Sequence, residues 1–278
     1  MCNTFKTPCQ KLERIQKYYK PIQPTVHQNN NEIFYSEIQP SIELENFVYC
    51  FWQLKTRKKL VENFTYRVVS DGCIDIFFEM NRPYENFIMG FCRKYTEFSI
   101  GKEFNYIGIR FLPSSLPILF NVNAKSLSNQ SQNLENISFD FSNWISTEIK
   151  SDNSFEEVAS KITDKLIRLI ENKNTEIDPR FINSLYLIFQ KHGYLDIEKD
   201  LSTGLSSRQL RRLFNFYIGT TAKSFSNVVR FQHILNAKPS IQSLKNNKLY
   251  LDIGFFDQAH FIKTFKTFYG VTPSEAFR

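Results

Sequence analysis

The hydrophobic pattern changes period along the chain. Between residues 33 and 120 it falls into short aromatic and β-branched runs: Phe47 to Leu54, Thr65 to Val69, Cys73 to Phe78, Phe87 to Met89 and Tyr106 to Phe111. Runs of this length, set apart by turn residues, are strand signals, and their number and spacing predict a β-sandwich or barrel. Asp71-Gly72, between the second and third runs, predicts a hairpin. From residue 154 the period becomes helical. Ser154 with Glu157 has capping-box form, and Phe155, Ala159, Ile162, Leu166 and Leu169 follow at 4,3,4,3 spacing. A dimer seam over residues 154–170 and packing onto the β-region fit that stripe equally. After the polar stretch Asn172 to Glu176, Asp178-Pro179 has the form of an N-cap and first helical position.

The pattern therefore predicts an α+β chain in three parts. Residues 1–30, rich in Lys, Gln and Asn, read as a flexible tail with one short helix. Residues 31–177 read as a β-sandwich or barrel with C-terminal helices, and residues 178–278 as an all-α unit. A length of 278 residues suits about two globular domains.

The helical segment repeats itself. Residues 206–222 and 257–273 match at an offset of 51: Ser206 with Asp257, Leu210 with Phe261, Phe214 with Phe265, Tyr217 with Phe268, Gly219 with Gly270 and Thr221 with Thr272. Ser206 and Asp257 are favourable N-caps, and Ser206 with Gln209 completes a capping box. A shorter helical stretch ending in glycine precedes each copy, Ile197 to Gly204 and Ser243 to Gly254. Helix, tight turn and capped helix make a helix-turn-helix. In the first copy Leu210, Leu213, Phe214 and Tyr217 form the inward stripe, leaving Ser207, Arg208, Arg211, Arg212 and Asn215 outside. In the second, Phe261, Phe265 and Phe268 face inward, leaving Gln258, Ala259, Ile262, Lys263 and Lys266 outside, with His260 reading as a packing or phosphate-contacting residue. Between the copies, Phe225, Val228, Val229, Phe231, Ile234 and Leu235 predict a connecting helix packed on both units. Pro239 is expected to stop it near Ala237.

Charge sharpens this picture. The net +7 lies wholly in residues 178–278, which hold 14 Lys+Arg against 7 Asp+Glu, while residues 1–177 are balanced at 21 each. A basic excess confined to one segment is the footprint of a polyanion-binding surface, and exposed arginines with an asparagine are the side chains that reach base edges in a major groove. Composition narrows the alternatives. The five cysteines have no C-x-x-C pair and read as free thiols, and no histidine lies between His27 and His192, which removes the usual ligands of an N/O metal site. Nucleotide-loop and nucleophile-elbow motifs are absent, so neither cofactor nor catalytic residue is expected. Asp75 and Arg110, with Trp52, read either as a polar set at a ligand pocket or as a structural ion pair. No ~18-residue apolar run or signal segment is seen, so a cytoplasmic chain without membrane contact is expected.

The run Gly254-Phe255-Phe256-Asp257-Gln258-Ala259-His260-Phe261, with Phe265-Lys266 and Gly270-Val271-Thr272-Pro273, resembles the C-terminal signature of the AraC/XylS transcription regulators, and Ser206 to Gly219 resembles the first half of that domain. Ala222 departs from the proline common there, and Ala276 from an aromatic. The resemblance implies a sequence-specific regulator on double-stranded DNA. It carries DNA contact by position to Arg208, Arg211 and Arg212 and to Gln258, Ala259 and Lys263, and Ser207, Asn215, His260 and Lys266 complete the expected DNA-facing set. Trp52, Val69 to Cys73 and Gly108 to Phe111 resemble the sensor-type barrels found ahead of such modules, implying a small-molecule or protein signal. A homodimer, and RNA polymerase in the case of an activator, follow as partner expectations. An enzyme with an appended basic domain and a protein-interaction adaptor are the competing classes.

Overall fold

The computed structural model describes residues 15–24, 32–171, 173, 177–201, 203–237, 254–255 and 257–277. After a short helix α1 (Ile15–Tyr18), the N-terminal half is an antiparallel β-structure: β1 (Ile33–Ile38), β2 (Val48–Thr56), β3 (Phe64–Val68), β4 (Ile74–Glu79), β5 (Arg82–Met89), β6 (Thr96–Ile100), β7 (Asn105–Phe111) and β8 (Ser131–Asn133). Six strands form one sheet in the order β1-β2-β7-β4-β5-β8, and β3 pairs with β6 in a second. The sheet centre is covered on both faces, because β2 and β7 are buried over most of their length. There Trp52 stands opposite Gly108. A Cβ at residue 108 would fall 2.2 Å from the indole ring, so only glycine lets the tryptophan lie across its neighbouring strand.

Asp71-Gly72 does not make the expected hairpin. β3 pairs with β6 while β4 pairs with β5 and β7, so the turn, with Gly72 at φ 74°, carries the chain from one sheet to the other. The tight connection is Met80-Asn81, between β4 and β5. No closed ring of strands is formed among the described residues, and the chain is a mixed α+β structure.

Helices α2 (Ser115–Phe120), α3 (Phe139–Glu148), α4 (Phe155–Glu171), α5 (Pro179–Gln190), α6 (Ile197–Asp200), α7 (Ser207–Tyr217), α8 (Ala222–Ala237), α9 (Gln258–Tyr269) and α10 (Pro273–Ala276), with 3-10 turns at Ala124–Leu127 and Leu134–Asn136, complete the described elements. Asp178 caps α5 by accepting from the Arg180 amide, with Pro179 in the first position. The stripe on α4 is spent within the chain. Phe155, Ala159, Ile162 and Leu166 are buried in the main core, so these four do not form an exposed dimer seam. The stretch Ser243 to Ile253 and Pro239 lie outside the described residues, as do Cys2, Cys9 and residues 172 and 174–176.

Of the segment expected as a tail, residues 15–24 are packed. Ile15 and Tyr19 are buried, and Tyr19 Oη donates to the Asp71 carbonyl at 2.6 Å. Gln23 donates to the Val69 carbonyl and accepts from the Val69 amide, each at 2.9 Å. The polar composition misled here because Ile15, Tyr19, Pro21 and Gln23 point inward while Lys17, Tyr18 and Lys20 stay outside. One apolar core runs from the sheet residues Ile76 and Ile109 to the helical residues Phe225 and Phe231. No helix among the described residues is long and apolar enough to cross a membrane.

Candidate functional site

Helices α6 and α7 form the first helix-turn-helix, joined through Gly204 at φ 76°. The capping box is present: the Gln209 amide donates to Ser206 Oγ at 3.3 Å, and the Ser206 amide donates to Gln209 Oε1 at 3.0 Å. This satisfies two amide donors that the helical ladder leaves open. Leu210 and Phe214 are buried, while Leu213 and Tyr217 pack partly buried against the same core. That anchoring presents Ser207, Arg208, Arg211 and Arg212 to solvent, with Asn215 half-buried at their edge. Arg211 and Arg212 lie one turn beyond Arg208 on the exposed side of the helix, and each guanidinium offers a fork of donors for phosphate or a guanine edge.

Helix α9 begins with the Asp257 side chain accepting from the His260 amide at 2.7 Å and ends at Gly270. Phe261, Phe265 and Phe268 are buried, and Gln258, Ala259, His260, Lys263 and Lys266 are exposed, as their positions in the repeat require. Exposed Ile262 interrupts the polar face.

Helix α8 fixes the two units relative to each other. Phe225 meets Phe214 of the first at 6.3 Å between ring centroids, and Phe231 meets Phe265 and Phe268 of the second at 5.4 and 5.3 Å. Arg230 adds a polar tie, donating to the Gly193 carbonyl through Nη2 at 2.7 Å and to the Gly254 carbonyl through Nη1 at 3.0 Å. Ala222 opens α8, a position that proline or alanine can hold because its amide has no helical partner there.

A second candidate lies in the β-structure. Between the two sheets is a cavity of about 450 Å³, with Trp52, Tyr66, Phe77, Phe98 and Tyr106 among its walls and Asp71, Asp75, Glu97 and Arg110 among its polar groups. Asp75 and Arg110 are cross-strand partners on β4 and β7. The guanidinium reaches Asp75 through Nη2 at 3.0 Å and Asp71 through Nε at 3.5 Å, while Trp52 Nε1 donates to Asp75 at 3.0 Å. Trp52, Asp75 and Arg110 are thus brought together, and Asp71, from the turn after β3, joins them. Burial pushes the Asp75 carboxyl up to about 6, against the opposing pull of Arg110. Arg110 is 2% exposed, the Tyr66 hydroxyl interacts with its guanidinium, and its Nη1 has no well-aligned hydrogen-bond partner among the described residues. A buried donor left open in this way costs free energy until an acceptor meets it. Cys50, Cys73 and Cys92 are buried free thiols, and burial raises the pKa of each.

Residues 202–278 match the family model described as a helix-turn-helix domain. The chain carries an AraC-type helix-turn-helix domain. Ahead of it, residues 36–133 match a domain of unknown function (DUF6597), and that order is consistent with the AraC/XylS regulators. Neither the curated proteins nor the solved structures contain a match to the chain. The AraC-type match covers α7, α8, α9 and α10 together, whereas the cavity walls fall in the domain of unknown function.

Proposed function

We propose that this chain is a sequence-specific transcriptional regulator, in which residues 178–278 bind double-stranded DNA and residues 31–177 receive a signal. The observation that carries this reading is the outward face of α7. Arg208, Arg211 and Arg212 are exposed on a helix whose opposite face is locked into the core, within an AraC-type domain. Arginine donates two hydrogen bonds to guanine O6 and N7, worth ~1–3 kcal/mol of discrimination per base pair. Helix α9 offers Gln258, Lys263 and Lys266 but also Ala259 and Ile262, so it serves chiefly to hold the phosphate backbone. The two units thereby divide sequence reading from positioning.

The signal acts at the cavity between the sheets. Its aromatic walls suit a small molecule with a largely apolar body, and the open Nη1 of Arg110 suits one hydrogen-bond acceptor on that molecule. The test is selection of bound duplexes from a random pool with the purified full chain. Enrichment of a defined sequence supports the reading, and recovery of an unenriched pool refutes it.

A further inference from the structure

Helix α7 has a neighbour from the N-terminal half. The Gly219 carbonyl, just beyond its last turn, accepts from Ser128 Oγ at 2.6 Å, and an added Cβ on Gly219 would meet the Ala124 carbonyl at 2.8 Å. These contacts seat the 3-10 turn Ala124–Leu127 beside α7, with Ala124 and Leu127 buried. Asn123 caps that turn, its Oδ1 accepting from the Lys125 amide at 3.0 Å. The Lys125 side chain is left exposed. Between the turn and the helix lies an open cleft of about 390 Å³, with Asn123 and Lys125 on one side and Arg208, Arg211, Arg212 and Asn215 on the other.

We propose that this cleft extends the DNA interface onto the N-terminal half, Lys125 taking a phosphate of the backbone that flanks the groove entered by α7. The inference rests on the DNA-reading role of α7. Its argument is the sign of the charges. Four cations line the cleft and no acid does. A turn that served to block α7 would set carboxylates against three arginines. Here it sets a fourth cation, and like charges held together are relieved by an anion between them. Duplex DNA supplies one phosphate charge per ≈ 1.7 Å of axis, so a lysine beside a groove-reading helix meets several. Lysine is suited to that task as a mobile point charge, and Asn123, whose Oδ1 is engaged, retains Nδ2 as a donor.

The test measures binding of the full chain to a duplex recovered by selection, across a range of salt concentrations, for wild type, Lys125→Ala, Lys125→Arg and Arg208→Ala. Removing one phosphate contact should reduce the slope of log K against log salt by about 0.9, with base preferences unchanged. Lys125→Arg should keep the wild-type slope. A Lys125→Ala protein with wild-type slope and affinity, alongside a weakened Arg208→Ala, overturns this inference alone. Tighter binding by Lys125→Ala would make the turn an obstacle and also overturn it. A wild type that ignores duplex DNA overturns the underlying reading with it.

Discussion

Gln232, on the helix that joins the two helix-turn-helix units, donates through Nε2 to the Ser70 carbonyl at 2.9 Å, one residue before the cavity-lining Asp71. The same side chain accepts from the Ile22 amide through Oε1 at 2.7 Å. Asp71 in turn accepts from Gln23 Nε2 at 2.7 Å and faces Arg110. A short chain of buried and part-buried polar contacts thus links the cavity to the strut between α7 and α9.

Gln232→Ala should destabilise the fold by roughly 1–3 kcal/mol, since it leaves the buried Ser70 carbonyl and the part-buried Ile22 amide without this partner. Urea unfolding with a constant slope checks it. A loss under ~0.5 kcal/mol would mean that the contact contributes little to holding the halves together.

The Trp52–Asp75 hydrogen bond provides an optical reporter. Burial holds Asp75 at about 6, above the ~3.9 of an unfolded chain. The folded state therefore binds this proton more tightly, and the group's contribution to stability is full below pH ~3.9 and is lost as pH rises through about 6. Trp52 emission should show a transition centred near pH 6 in a Trp144→Phe background and lose it in Asp75→Asn. Flat emission from pH ~5 to ~7 would contradict this environment for Asp75.

The buried stripe of α4 changes what a charge there does. Leu166 is fully buried, so Leu166→Glu should cost about 4 kcal/mol or more through unfolding and not through dissociation. Circular dichroism and sedimentation of the same sample distinguish the two. A variant of wild-type stability that sediments as a smaller species would restore the seam.

What the sequence disclosed depended on whether the information was local. Capping by Ser206 and Asp257, and the inward spacing of Leu210, Phe214, Phe261 and Phe265, are local, and the two capped helices follow from them. The runs that became β2, β4 and β7 were equally plain, because buried strands are continuously apolar. β1 and β6 escaped because their positions are only half-buried and carry Ser36, Glu37, Glu97 and Ser99 among the apolar residues. Asp71-Gly72 announced a turn but carried nothing about which strands would pair. The α4 periodicity gave a buried face without saying whose surface would cover it. The cavity was legible only as Trp52, Asp75 and Arg110, since Tyr66, Asp71 and Phe98 reach it from strands and turns whose meeting is tertiary. Lys125, in a single 3-10 turn too short for a periodic pattern, carried no signal at all.

The division between the two units predicts different consequences for lysine and arginine substitutions. Lys263→Ala on α9 should weaken binding to all duplexes by a similar factor, because a point charge on the backbone carries no base information. A position-by-position binding matrix checks this. A shift of preference at one base pair would place α9 among the base-reading elements.

The central claim is that the arginine face of α7 reads DNA sequence, and the direct measurement is the affinity of the full chain for its selected duplex against a scrambled one, before and after Arg212→Ala. The account predicts that the wild type prefers the selected duplex and that Arg212→Ala loses ~1–3 kcal/mol of that preference at a particular base pair. A substitution that weakens both duplexes equally, leaving the preference intact, would contradict it.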